Sequence, residues 1–113
     1  MSKREPKFLI EDIIESASKI LDYTQGLTFE QFTVDEKTKD AVIRNFEIIG
    51  EAANRLPDNI KQSYSSIDWI RIRGLRNRII HEYFGVDYSI IWQIRDNYLP
   101  ELIIQLKKIS GSL

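Results

Sequence analysis

One stretch of eight residues, Arg76-Asn77-Arg78-Ile79-Ile80-His81-Glu82-Tyr83, gathers side chains that can do chemistry. It holds the only histidine of the chain, five positions after Arg76 and two before Tyr83. An arginine offers a forked, permanently charged donor that matches phosphate oxygens. A histidine takes and returns a proton near neutral pH. Asn77 can orient His81 or donate to a phosphate, and Tyr83 brings a hydroxyl and a stacking ring. Together these suit cleavage of RNA without a metal. The 2′-hydroxyl would attack the adjacent phosphorus, His81 would move the proton, and Arg76 would stabilise the crowded phosphorane. Arg73 and Arg78 would hold the RNA backbone nearby. The plainer readings are a surface or capping histidine, a solvated basic face and a core-edge tyrosine.

These residues need elements to hold them. Spacing predicts a helix from Asp68 to about Phe84, with Ile72, Leu75, Ile79 and Tyr83 on its apolar side. On an ideal helix Arg73, Asn77 and His81 share a face, and Arg76 and Tyr83 share another line. Arg76 and His81 would then stand about 140° apart around the axis. Only the length of Arg76 or an irregular last turn could aim both at one phosphate. Arg78 and Glu82 would form an outer i,i+4 ion pair. The reaction wants an acid and a base, and one chain supplies one histidine. A symmetric homodimer is therefore expected, with two copies of the motif face to face.

The remaining segments read as helices that bury the apolar side of this stretch. Pro6 opens the first, with Ile10, Ile13, Ile14, Ala17, Ile20 and Leu21 at helical spacing and Gly26 as its stop. Thr28 with Gln31, and Thr33 with Glu36, each match a capping box. A short turn and then a long helix from about Asp35 to Leu56 follow, striped by Val42, Phe46, Ile49, Ala53 and Leu56. Gly50, Ala52 and Ala53 leave room for another helix to come close. Pro57 ends this helix. Asp58 to Tyr64 reads as a short helix capped by Asp58. Gly85-Val86-Asp87 reads as a turn with Asp87 as a cap. The last helix runs from Tyr88 to about Ile109, kinked at Pro100. No segment has hairpin chemistry. The expected architecture is an all-α bundle of four main helices with short helical turns, one domain over residues 1–113.

Composition narrows the function classes. At 113 residues, 42% hydrophobic and 29% charged, the chain suits a soluble globular domain. With no cysteine and one histidine, neither a disulfide nor a structural zinc site is expected. No apolar run approaches membrane-spanning length and no signal peptide is recognisable, so no membrane partner and a cytoplasmic location are expected. A net charge of −1 argues against wholesale coating of nucleic acid. Yet from Arg71 to Arg78 there are four arginines and no acid, a local patch that can engage phosphate.

The motif resembles the R-N-x-x-x-H-x-Y signature of HepT-like proteins in the HEPN superfamily. Arg44 to Ala53 resembles that family's second long helix. Trp69 with Gly74-Leu75, and Leu99-Pro100, also match its pattern. The resemblance covers nearly the whole chain. It implies a HEPN helical bundle and a metal-independent endoribonuclease toxin of a type VII toxin–antitoxin system, acting as a dimer without a cofactor. It implies as partner an MntA-like minimal nucleotidyltransferase, which silences the nuclease by transferring AMP to the motif tyrosine. On that resemblance Arg76 and His81 are catalytic, Asn77 is the polar residue after the arginine, and Tyr83 is the AMP acceptor. The alternative it leaves is a non-catalytic HEPN module that binds or presents substrate to the nucleotidyltransferase.

Overall fold

The computed structural model describes residues 4–81, the His81 side chain excepted, and residues 85–113. Four main helices carry the bundle: α1 (Pro6–Thr24), α3 (Glu36–Arg55), α7 (Tyr88–Asn97) and α8 (Leu99–Ser110). Short helices lie between them: α2 (Phe29–Thr33), α4 (Asp58–Ser63), α5 (Trp69–Arg73) and α6 (Leu75–Ile79). A two-stranded ribbon, β1 (Ile80–His81) and β2 (Gly85–Val86), separates α6 from α7. The fold is an all-α bundle, and no described helix is long and apolar enough to cross a membrane.

The core follows the apolar stripes. Ile10, Ile13, Ala17 and Ile20 of α1 meet Val42, Phe46, Ile49 and Ala53 of α3, all essentially solvent-free. The α1–α3 pairing is the most extensive in the molecule, and α8 packs on α1 beside it. Each such valine, isoleucine or phenylalanine side chain contributes about 1.5–3 kcal/mol by leaving water. Trp69, Ile72, Leu75 and Ile79 extend the same core through α5 and α6. These two short helices rest on α3.

Their seat on α3 is close. A Cβ added to Gly50 would lie 3.3 Å from the backbone carbonyl oxygen of Arg73. The small residue expected to admit a neighbouring helix does so here, against the end of α5.

Local chemistry sets most helix ends. Thr28 and Gln31 form the complete capping box of α2. Gly26, at φ 78°, turns the chain out of α1. Other boundaries differ from expectation. Asp35, not Thr33, caps α3: its carboxylate accepts from the Thr38 N–H at 3.1 Å and the Thr38 hydroxyl at 2.7 Å. Thr33 instead donates its hydroxyl to the Glu30 carbonyl at 2.8 Å. Asp58 is the first residue of α4 rather than its cap, a position held by Pro57. The last helix is two helices. Tyr98 (φ −125°, ψ −49°) breaks it, and Pro100 sits in the first turn of α8, where its missing N–H breaks no bond.

The larger departure is at the motif. The helix expected from Asp68 to Phe84 is α5, a one-residue break at Gly74, and α6, which ends at Ile79. Ile80 and His81 are extended and pair antiparallel, Ile80 with Val86 and His81 with Gly85. The hairpin was not expected. Its physical reason is the Asp87 N–H, which donates to the Ile79 carbonyl at 2.7 Å. That takes the acceptor a continuing helix would use for its next turn.

Gly50 should tolerate alanine but not a larger residue. Gly50→Ala gains about 1 kcal/mol of helix propensity. That roughly offsets a shift of a few tenths of an ångström at the Arg73 carbonyl. Gly50→Leu should lose about 2 kcal/mol through overpacking. Urea unfolding of the two variants checks this, and a Gly50→Leu midpoint equal to that of Gly50→Ala would show that the approach is no constraint.

Candidate functional site

The basic segment is held from below by four buried side chains and from its start by a cap. The Asp68 carboxylate accepts from the Arg71 N–H at 3.0 Å, opening α5. The Trp69 indole N–H donates to the Tyr64 carbonyl at 3.1 Å, fixing the ring that begins the buried stripe. Trp69, Ile72, Leu75 and Ile79 step by three, three and four, so the stripe runs through the break at Gly74 without changing face.

With that stripe buried, the intervening residues face solvent. Arg71, Arg73, Arg76, Asn77 and Arg78 are all exposed. They do not share one fate. The Arg71 guanidinium lies 3.8 Å from the centroid of the Tyr98 ring, stacked on the α7–α8 corner. Burial pushes the Tyr98 phenol above its ordinary value, and Arg71 pulls in the opposite direction. Arg71 therefore fastens α5 to the end of α7, a role its place in the arginine run did not announce. Only the aromatic at the helix break, Tyr98, could have hinted at it. Arg73, Arg76 and Arg78 have no ion pair or ring partner among the described residues. Three permanent cations thus stand at the surface of two short helices.

The motif's later residues sit on different backbone from its earlier ones. Arg76, Asn77 and Arg78 are helical, whereas His81 is in β1. The separation of about 140° expected between Arg76 and His81 assumed one regular helix, and that assumption fails after Ile79. The helix that would have carried an Arg78–Glu82 pair ends at the same place. Glu82 and Tyr83 lie outside the described residues, as does the His81 side chain. Ile80 is partly buried against the core, as is Val86 opposite it.

The end of the ribbon is tied into α7. Asp87 Oδ1 accepts from the Ile90 N–H at 3.2 Å and from the Ser89 hydroxyl at 2.7 Å, capping that helix as expected. Among the described residues, no group of three His, Cys, Asp or Glu could hold a metal ion. A surface hollow of about 490 Å3, lined by Asp58, Lys61, Ser65, Asp68, Trp69 and Ile70, opens on the other end of α5, and none of Arg73, Arg76, Asn77 or Arg78 lines it.

The sequence profile of the family described as Ribonuclease HepT-like matches residues 13–109, taking in the whole basic segment and the ribbon. The chain belongs to the HepT-like ribonuclease family. Among curated relatives, this HepT-like chain is 38% identical to a protein of Thermococcus cleftensis named "Probable ribonuclease HepT", over 95% of this chain and 97% of that one. It is 39% identical to a candidate RNase of Methanocaldococcus jannaschii, over 96% of this chain and 90% of the relative. It is 38% identical to a candidate RNase of Caldanaerobacter subterraneus subsp. tengcongensis, over 94% and 95%. No solved structure gives a significant match.

The ribbon of the HepT-like chain has one conformational requirement. Gly85 has φ 77°, and a Cβ there would meet nothing within 4 Å. Any cost of substitution is then backbone strain rather than a clash. Gly85→Ala should lose about 1–2 kcal/mol, and Gly85→Asn less, because asparagine enters the left-handed region more easily. The order Gly, Asn, Ala in thermal unfolding is the check, and equal midpoints would show that the turn makes no such demand.

Proposed function

We propose that this chain is a metal-independent endoribonuclease, the toxin of a type VII toxin–antitoxin pair. Support comes from its membership of the HepT-like ribonuclease family and, above all, from the exposed guanidinium groups of Arg73, Arg76 and Arg78 directly ahead of His81, which have no ion-pair partner among the described residues. Arg76 and His81 are the catalytic pair in this reading, and Asn77 helps orient the histidine or the phosphate. Arg73 and Arg78 hold the RNA backbone on either side. The 2′-oxygen attacks phosphorus as a histidine takes its proton. The bond from phosphorus to the 5′-oxygen breaks, and that oxygen receives a proton in turn. The products are a 2′,3′-cyclic phosphate and a free 5′-hydroxyl. Arginine donors match the extra negative charge of the phosphorane.

Two protons move and each chain has one histidine, so the active form is a homodimer. The helical-angle argument for dimerisation no longer applies. The argument from the single histidine does not depend on it.

Arg76→Ala and His81→Ala should each lower cleavage of total RNA by at least 100-fold, with helical circular dichroism near wild type. Wild-type cleavage should persist in EDTA. Full activity in His81→Ala, or loss of wild-type activity in chelator, would remove the assignment.

Control of the nuclease would lie at Tyr83. A cognate MntA-like nucleotidyltransferase would join the tyrosine oxygen to the α-phosphate of ATP and release pyrophosphate. The added phosphate is an anion two residues from His81. It would compete with RNA for the same arginine donors, while the adenylate occupies space the substrate needs. Tyr83→Phe keeps the ring and drops the hydroxyl. The variant should cleave RNA yet accept no AMP and escape silencing. Mass spectrometry finding AMP on another residue of Tyr83→Phe would misplace the handle.

A further inference from the structure

Arginines on a phosphate backbone place an RNA but carry no sequence information, which is read at base edges. A feature with base-reading chemistry adjoins the basic segment: the hollow of about 490 Å3 at the start of α5. Its size falls within the range of about 300–1,000 Å3 usual for small-ligand sites. Ile70 connects the two. It lines the hollow and lies three residues before Arg73 on α5. The two share a side of that helix, with a rise of about 4.5 Å between them. That is less than the span of one nucleotide. Ile70 is 75% exposed, whereas its neighbours Trp69 and Ile72 are buried. A single exposed apolar side chain calls for no explanation. One that edges a hollow, in line with an arginine open to phosphate, does.

The opposite wall comes from α4 and the turn after it. Lys61, Ser65 and Ser66 bring donors, and Asp58 brings a carboxylate that only accepts. Neither Asp58 nor Lys61 has an ion pair among the described residues. Asp68, also at the rim, is committed to the cap of α5. Helix α4 has no buried residue, so these polar side chains hold no part of the core.

We propose that this hollow receives the base of the nucleotide adjoining the phosphate held at Arg73, and that Asp58 selects bases with an exocyclic amino group. The proposal rests on the reading of the chain as a ribonuclease. Sequence-specific RNA recognition works on single-stranded bases, splayed out of their stack. Such a base has an apolar face for Ile70 and a polar edge for the side chains of α4. Cytosine presents its amino group to a carboxylate. Uracil has a carbonyl oxygen at the same ring position. Its one N–H lies between two carbonyl oxygens, and both oppose a carboxylate. The backbone phosphate stays with the arginines, because the carboxylates at the rim of the hollow repel it.

Cytosine and uracil share a ring size and differ at that edge, which makes them the probes. The full chain carrying His81→Ala, so that RNA is not consumed, is titrated with r(CCCC) and with r(UUUU) and followed by NMR. Shifts are expected at the Ser65, Ser66 and Ile70 amides and at the Trp69 indole N–H. The indole N–H of Trp92, on α7, should stay in place as an internal control. The cytosine oligomer should bind about tenfold more tightly than the uracil one. Asp58→Asn should bring the two affinities together, and Ile70→Ser should weaken both. Asp58 and Ile70 are exposed, so helical circular dichroism should be unchanged in each variant. With His81 present, sequencing the ends of cleaved random RNA should show uracil depleted at one fixed position beside the cut, and Asp58→Asn should erase that depletion. Shifts confined to the basic segment, equal affinities for the two oligomers, or a preference that survives Asp58→Asn would each overturn the proposal and leave the nuclease reading standing. Movement of the same signals on concentrating the protein without RNA would assign the hollow to a protein contact and overturn it as well. Wild type that cleaves no RNA, while the cytosine oligomer still enters the hollow with that preference, would overturn the nuclease reading instead.

Discussion

Everything at the basic segment depends on how closely α5 can lie on α3. The contact is backbone on backbone: the Arg73 carbonyl oxygen sits 3.3 Å from where a side chain at position 50 would begin. A glycine in mid-helix costs about 1 kcal/mol relative to alanine, so its presence calls for a compensating approach. With α5 seated this low, Ile72 and Leu75 reach the core laid down by α1 and α3, and both are fully buried. Arg73, next to the buried Ile72 on α5, then has no direction left but outward. Exposure of the cations is thus a consequence of burying their neighbours.

Two charged side chains lock the rest of the bundle around this seat. Arg95 on α7 reaches the end of α1. Its Nε donates to the Thr24 hydroxyl at 2.6 Å, and another of its nitrogens to the Thr24 carbonyl at 3.2 Å. Helix α1 has no basic residue in its own last turn, so α7 supplies the cation that its terminal carbonyls favour. Lys39 does the equivalent between α2 and α7. Its ammonium donates to the Thr33 carbonyl at 2.9 Å, pairs with Glu36 at 2.8 Å and faces the Tyr88 ring. Its pKa is raised, chiefly by the hydrogen bond to Glu36. Tyr88 and Thr24 therefore fix both ends of the segment that leads away from the ribbon.

What could be read from the sequence follows the physics of period. The stripes of α1 and α3 were legible because long helices repeat their pattern over five turns. Capping by Thr28 and Asp87 was legible because the acceptor and the N–H it satisfies lie three residues apart. The break at Gly74 and the ribbon were not. Four apolar positions from Trp69 to Ile79 fit one helix as well as two, since the stripe crosses Gly74 in phase. The end at Ile79 is decided by a hydrogen bond from Asp87, eight residues away, and no local pattern encodes that. Arg71 illustrates the same limit. Its type and exposure match those of Arg73 and Arg76, but its partner, Tyr98, is distant in sequence. The motif residues were named from their types and from the family resemblance, and their arrangement needed the tertiary contacts.

The break between α6 and β1 gives the segment two kinds of support. Arg76 rides on a helix whose buried side, Leu75 and Ile79, is part of the main core. His81 belongs to a ribbon anchored by Ile80 and Val86 on one face and by the Ile79–Asp87 hydrogen bond at its root. Were the helix continuous, any motion of the histidine would be a motion of the arginine's helix as well. On the proposed reading the two have different tasks. Arginine must meet phosphate charge from a fixed place, because electrostatic stabilisation is greatest when donors need not reorganise. Histidine must collect a proton at one oxygen and deliver one at another, or share that work with a second copy.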